Sequence, residues 1–285
     1  MTETREVRTA RSAMVVVNPD ELRIEAALER VILGWAGQVG APALRFPPLL
    51  PIEALSRFDY FQNFPHLMLL AAPLDADRVR SEYVKASRVE SVPGAHLAEA
   101  VYALPSAACY GVYLHLEDRT LTAPSRITTV ATCFRNEASF EGMRRLLAFR
   151  MREIVCVGDV ASVQQHIQEF KVRIVAFAAA VGIPLTVAIA TDPFFDPTAS
   201  RAVAQKLFPV KEEFVYGGSL AIASVNFHRN FFGERFAIRV ADGPFAFSSC
   251  VAFGLERWIW ALNDHFKGDV DRILAALERA GRVEA

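Results

Sequence analysis

A chain of 285 residues with 52% hydrophobic and 22% charged side chains can bury one large core or two modest ones, and it excludes long disorder. Lys and Arg number 31 against 32 Asp and Glu, a net charge of −1, which excludes a generally basic nucleic-acid coat and argues against a tRNA-sized partner. The four cysteines, Cys109, Cys133, Cys156 and Cys250, form no CxxC pair, so a reduced, cytoplasmic protein is expected rather than a disulfide scaffold.

Residues 1–18 form a polar leader without the apolar core of a signal peptide, with a strand around Ala13–Val17 or a loose arm. Asn18-Pro19-Asp20-Glu21 has the pattern of a helix start, with Pro in the first position and acids in the first turn. Leu22, Ala26, Leu28, Val31, Ile32 and Trp35 then recur at helical spacing until Gly37 and Gly40. The segment APALRFPPLLP is extended, and Pro47 and Pro48 bar it from a central ladder. A strand is expected at Leu67–Ala72 and a helix plus a loop within 74–100. Further strands are expected at 107–116, 126–137, 146–158, 185–192, 220–228, 235–241 and 247–254, and helices at about 160–181, 197–207, 254–266 and 268–281. Ile174 to Thr191 carries no charge over 18 residues, the lower edge of a membrane span, but Gly182-Ile183-Pro184 breaks it into a helix end, a turn and a buried strand. No repeat or linker interrupts residues 1–285, which read as one α+β domain: an antiparallel or mixed β-sheet flanked by helices.

Chemistry concentrates in residues 128–159. Strand alternation places Arg135 and Glu137 on one side, and Phe149, Met151 and Glu153 on one face of the next strand. If those faces coincide, one surface carries a guanidinium, two carboxylates and an aromatic ring, a set suited to clamping phosphate oxygens and stacking a base. The same periodicity also fits an ordinary salt-bridged hairpin.

The residue strings separate these readings. Cys133-Phe134-Arg135-Asn136-Glu137, followed by Phe149 and Glu153, resembles motif 2 of class II aminoacyl-tRNA synthetases, the seryl branch in particular. Phe253-Gly254-Leu255-Glu256-Arg257 resembles motif 3, and Arg45-Phe46-Pro47-Pro48-Leu49 resembles the weaker motif 1. The three occur in the family's order, and the resemblance spans about residues 20–266. The seryl enzymes' N-terminal tRNA-binding arm has no room here. With PSAACYGVY, FRMREIVCVG, LAIASVNFHRNFFG and SSCVAFGLERW, the chain resembles the bacterial amino acid:[carrier protein] ligases, which look like zinc-dependent seryl synthetase cores.

That resemblance implies ATP-dependent activation of a small amino acid, glycine or alanine, as an aminoacyl adenylate, and transfer to the phosphopantetheine thiol of a carrier protein. It implies one Zn²⁺ per chain on Cys109, Glu153 and Cys250, with an open fourth position for the substrate amine. Cys133 is the rival ligand and Cys156 a core residue. Arg135 would hold the α-phosphate and the substrate carboxylate, and Phe149 would stack the adenine with Arg257 above it or on the γ-phosphate. Arg135 and Arg257 are thus the catalytic residues. Glu137 would accept from the adenine amino group or orient the loop, Arg144 and Arg145 would reach the outer phosphates or lie solvated in the loop, and Asn226 would line the amino-acid pocket, with His228 either there or structural. Mg²⁺ would accompany ATP, yet the strand Leu220–Asn226 lacks the carboxylate with which seryl enzymes hold it. The helix at 20–36 and Pro47-Pro48 would form a homodimer interface, and a helix within 196–205 would dock the carrier or merely cover the sheet. One of Trp258 and Trp260 would mark an interface, and Phe194-Phe195 and Phe231-Phe232 would be core. Two other functions fit the same motifs: a stand-alone paralogue acylating tRNA or another acceptor, and a degenerate amino-acid- or nucleotide-binding module.

Overall fold

Asn18 starts the first helix by satisfying its free backbone donors. Its side-chain oxygen accepts from the N–H groups of Asp20 and Glu21, each at 3.0 Å, while Glu21 accepts from the Asn18 N–H at 2.8 Å. This helix, α1 (Pro19–Gln38), runs past Gly37, and its buried stripe is Ile24, Leu28, Ile32, Trp35 and Ala36, with Leu22 outside it. The computed structural model describes residues 13–79, 83, 86–241 and 243–283. Residues 13–17 form no strand; the Ala13 carbonyl accepts a single bond from Leu147 N–H, and residues 1–12 lie outside the described set.

Three two-residue strands, β1 (Leu50–Pro51), β2 (Leu70–Ala71) and β3 (Tyr102–Ala103), make a small sheet in the order β1-β3-β2. Helices α2 (Ile52–Arg57) and α3 (Tyr60–Asn63) lie between its first two strands in sequence. The strand expected at Leu67–Ala72 shrinks to β2 because Pro65 opens a 3₁₀ turn through Leu67. No α-helix occurs among the described residues of 74–100, and residues 80–82 and 84–85 lie outside them. The segment 107–116, expected as a strand, contains helix α4 (Tyr110–His115). It is apolar almost all round, so periodicity does not separate a buried strand from a buried helix.

The remaining strands are β4 (Thr120–Leu121), β5 (Ser125–Phe134), β6 (Ala148–Gly158), β7 (Leu185–Ile189), β8 (Lys211–Tyr216), β9 (Leu220–Arg229), β10 (Arg239–Val240) and β11 (Phe247–Gly254). Six of them form one sheet in the order β5-β6-β11-β9-β8-β7, antiparallel at every step. The helices are α5 (Val160–Val181), α6 (Ser200–Leu207), α7 (Phe231–Arg235), α8 (Leu255–Phe266) and α9 (Val270–Val283). The α+β expectation is met.

Helices α1, α5, α8 and α9 cover one sheet face around Trp35, Phe170, Phe177, Phe214 and Trp258. On the other face a second cluster, including Phe58, Tyr113, Val155 and Phe236, occupies one end and leaves the rest open. Strand β6 joins the layers. Glu25 and Glu29, one turn apart on α1, bind Arg150 and Arg152 on the covered face.

Several expectations change. The strand after Gly182, whose φ of 95° ends α5 in the left-handed region, is β7, but it is exposed: Val187 and Ile189 are 46% and 69% accessible. It is the sheet's edge and pairs with β8 alone. Strand β8 was hidden by Lys211, Glu212 and Glu213, although Phe214 and Tyr216 point to the core. The strand expected at 235–241 shrinks to β10 because α7 runs through Arg235. Phe195 is exposed rather than core, Phe194 stacks on Phe64, and Phe231 is only partly covered, while Phe232 is buried. Trp258 is buried, and Trp260 rests against Tyr216 and the Arg144 guanidinium. Among the described residues no helix is long and apolar enough to cross a membrane.

Segment 41–51 crosses beside β5, with Ala43 bridged in parallel to Thr128, and brings Phe46 onto α4. A Cβ on Gly111 would lie 2.3–2.6 Å from the Phe46 ring and Cβ. Gly111→Ala is therefore expected to cost about 1–3 kcal/mol through displacement of Phe46, read as a lower midpoint in urea unfolding.

Candidate functional site

The open face of the sheet forms a cavity of about 240 Å³. From β6, alternation delivers Phe149, Met151 and Glu153 to it, as expected. Alternation does not deliver Glu137, because β5 ends at Phe134. A tight turn does so instead: Glu137 N–H donates to the Arg135 carbonyl at 3.0 Å, and both residues line the cavity.

The Arg135 guanidinium donates from Nε and Nη2 to the Ser106 carbonyl at 3.3 and 3.1 Å, and lies 4.9 Å from the Phe149 ring centre. The ring expected to stack adenine is thus partnered by Arg135. Arg257 donates from Nε to the Arg144 carbonyl at 2.9 Å and from Nη1 to the Ala221 carbonyl at 3.0 Å. Ala221 stands on the strand that lacks a carboxylate. Arg144 pairs with Glu141 at 2.6 Å, and Arg145 with Glu137 at 3.1 Å. Glu256 accepts the Arg150 N–H on both carboxylate oxygens, at 3.0 and 2.9 Å, which ties the start of α8 to β6.

Three acids meet in the same cavity. Cys109 immediately precedes α4, Glu153 sits on β6 and Cys250 on β11, where Cys250 pairs with Val155 and Glu153 with Ala252. Their ligand atoms all lie within 4.8 Å of one another, and all three residues are buried. Glu153 Oε1 accepts the Ala108 N–H at 2.9 Å, while Oε2 is buried without a partner. The hydrogen bond with Cys250, then burial, hold the Cys109 thiol well above its usual range. For Cys250 the bond from Cys109 pulls down, but burial and the Glu153 charge win and raise it. Burial raises Glu153 against the bonds from Cys109 and the Ala108 backbone. Two thiols and a carboxylate with one orphaned oxygen are a donor set that a metal ion fits.

Cys133 does not join them. It pairs across β5–β6 with Phe149, while Thr129 pairs with Glu153, so it sits four residues along the strand, about 13 Å away. Its Sγ faces the Ala131 carbonyl at 3.9 Å. Cys156 is buried in the core, as expected. Asn226 lines the cavity and donates to Cys250 Sγ at 3.4 Å and to Ser224 Oγ at 3.2 Å. His228 Nε2 lies 3.7 Å from Cys250 Sγ, and its Nδ1 bonds the Tyr113 hydroxyl at 3.0 Å; burial lowers the imidazole to about 4.

The sequence did not point to a further polar wall. Lys211 Nζ lies 3.1 Å from both Asp192 Oδ1 and Glu213 Oε1, and the Gln205 side chain on α6 donates to Asp192 Oδ2 at 3.0 Å and accepts from the Asp192 N–H at 2.8 Å. Tyr60, Ser106 and Tyr110 form a second group beside Arg135. Lys211 and Glu213 were detectable as period-two partners of Phe214 and Tyr216. The others come from separate segments with no spacing signal.

No family model matches the chain. It is 34% identical over 233 residues to amino acid–[acyl-carrier-protein] ligase 1 of Bradyrhizobium diazoefficiens, covering 77% of this chain and 70% of the relative. Ligase 2 of that organism is 31% identical over 246 residues, covering 82% and 73%. A type-2 serine–tRNA ligase of Methanopyrus kandleri is 24% identical over 248 residues, covering 78% of this chain and 47% of the relative. Among solved structures, M. kandleri SerRS in complex with A. aeolicus tRNASec aligns with a TM-score of 0.79 at 20% identity, over 93% of this chain and 56% of that one. Cytoplasmic serine–tRNA ligase from Naegleria fowleri in complex with AMP aligns at 0.65 and 12% identity, over 91% and 54%. The fold is that of class II aminoacyl-tRNA synthetases, and the chain spans about half the length of these two solved chains.

If the three acids hold one metal ion, elemental analysis should find about one equivalent per chain. Cys109→Ser and Cys250→Ser should each lose most of it, and Cys133→Ser should keep it.

Proposed function

The chain belongs to the amino acid–[acyl-carrier-protein] ligase family, and we propose that it activates a small amino acid with ATP and transfers the acyl group to the phosphopantetheine thiol of a carrier protein. The observation that carries this reading is one cavity lined both by guanidiniums and by the Cys109–Glu153–Cys250 group. Anions bind at the first and an amine at the second, the two ends of an amino acid about to be adenylated.

Thiolate ligands favour Zn²⁺ over Mg²⁺ or Ca²⁺. Bound there, Zn²⁺ would supply a Lewis-acid seat for the substrate amine, which selects amino acids over simple carboxylic acids. Asn226 orients Cys250 through its amide. Two Arg135 donors are held by Ser106, which fixes the guanidinium plane and leaves its remaining N–H groups for the substrate carboxylate and the α-phosphate. The carboxylate, already ionised, attacks phosphorus in line and pyrophosphate leaves. The chain positions the reactants and balances charge, with no covalent enzyme intermediate. The carrier thiolate then attacks the acyl carbon; the C–S bond forms, the bond to the phosphate oxygen breaks, and AMP departs.

Arg257 and Arg144 serve the outer phosphates, with Glu137 and Phe149 at the adenine. Mg²⁺ would travel with ATP and meet Glu213, a cavity carboxylate paired in register with Ser224 on β9. Tyr60, Phe64 and Tyr110 crowd the pocket, which favours glycine or alanine. The proposal extends to a single catalytic domain over 1–285, a cytoplasmic setting that keeps the thiols reduced, a homodimer formed through α1 and Pro47-Pro48, and carrier docking on α6.

Amino-acid-dependent pyrophosphate–ATP exchange with glycine, alanine and serine tests the first step. Exchange is expected in the wild type and should fall by at least about 100-fold in Arg135→Ala. Labelled amino acid offered with either total tRNA or a phosphopantetheinylated carrier identifies the acceptor. Label on tRNA would support a synthetase paralogue instead, and ATP binding without exchange would support a degenerate binding module. Sedimentation at 31.5 kDa instead of about twice that would remove the dimer.

A further inference from the structure

Tyr60 enters the cavity from a turn built to push it inward. Asp59, just before it, has φ 55°, in the left-handed region that non-glycine residues avoid. Asn63 secures the turn by donating to the Asp59 carbonyl from its backbone N–H at 3.1 Å and its side chain at 2.8 Å. The Asp59 carboxylate is held by Arg235 at 2.7 Å and Arg201 at 3.7 Å. The Tyr60 ring consequently lies 3% exposed against Phe64 and Tyr110.

Its hydroxyl reaches no hydrogen-bond partner among the described residues, although it is fully buried. Ser106 is its nearest polar influence and pulls the phenol down, but the Ser106 hydroxyl lies outside hydrogen-bond geometry with Tyr60 and bonds Tyr110 at 3.3 Å, while the Ser106 carbonyl holds Arg135. A buried hydroxyl without a partner costs about 1–3 kcal/mol, and native folds seldom keep one without a use. Tyr60 lines the same cavity as Arg135, Cys109, Glu153 and Cys250. Burial raises the phenol, so it keeps its proton and can donate. The Arg135 charge beside it makes the spot attractive to an anionic oxygen.

We propose that the Tyr60 hydroxyl donates a hydrogen bond to the carboxylate of the bound amino acid, beside Arg135. The assignment rests on the function proposed above: with the amine at the Cys109–Glu153–Cys250 group, the carboxylate is the substrate's anionic group facing Arg135. Tyr60 is then a substrate-binding residue that no sequence motif contains, and its missing partner is the substrate.

Tyr60→Phe tests this, because it removes the hydroxyl and leaves the ring. Three results are expected together. The melting temperature is unchanged or higher, since no protein hydrogen bond is lost. ATP affinity by calorimetry is unchanged. The amino-acid kcat/KM in pyrophosphate exchange falls about 10–100-fold, the size of a hydrogen bond to a charged group. A lower melting temperature would mean that the hydroxyl bonds within the protein, and would overturn the assignment whatever the activity. An unchanged kcat/KM in an active enzyme would mean that water satisfies the hydroxyl, and would overturn the assignment alone. A wild type without exchange for any amino acid would overturn the proposed function and the assignment with it.

Discussion

Two thiols and a carboxylate are buried within reach of one another. Charging any of them in that environment is unfavourable, and charging all three is more so. A divalent cation reverses the sign of that constraint: the same burial that disfavours free thiolates favours thiolates bound to metal. The rest of the cavity is arranged around this corner. Asn226 donates to Cys250, the Ala108 N–H donates to Glu153, and guanidiniums line the same cavity.

Strand β6 lets a chemically costly corner sit in a stable fold. Its alternation sends Phe149, Met151 and Glu153 into the cavity, and Arg150 and Arg152 to the other face, where Glu25 and Glu29 of α1 receive them. The Glu256 carboxylate takes the Arg150 N–H and fixes the start of the helix that carries Arg257. The Cys109–Glu153–Cys250 corner, the guanidiniums and the first helix are thereby referred to one strand. Positional precision of this kind is what a reaction relying on alignment needs.

Most of the guanidinium set was legible in sequence because its residues are close together along the chain: Arg135, Glu137 and Phe149 lie on one pair of strands and the connection between them. The β6 alternation held. The β5 alternation stopped at Phe134, and a backbone turn took over the placement of Glu137. The Cys109–Glu153–Cys250 set was legible only through the resemblance. Its members come from the approach to a helix and from two strands, and the approach to α4 was itself taken for a strand. Tyr60 and Asp192 carried no signal, since a residue's value as a cavity wall depends on what faces it from segments far away in sequence.

The sequence by itself determined the α+β class, the capping of α1, the course of α5, α8 and α9, and the strands β5, β6, β9 and β11. These follow from local rules of period, capping and breaking residues that act within a few positions. It also determined the guanidinium motifs, because their spacing is short and their order is fixed. Tertiary structure alone decided that β7 is an exposed edge, that residues 110–115 coil rather than extend, that Cys109 rather than Cys133 meets Glu153, and that the Tyr60 hydroxyl is buried without a partner. Each of these depends on which strands neighbour one another and in what register. Register is a relation between distant segments, set by the packing of the whole sheet.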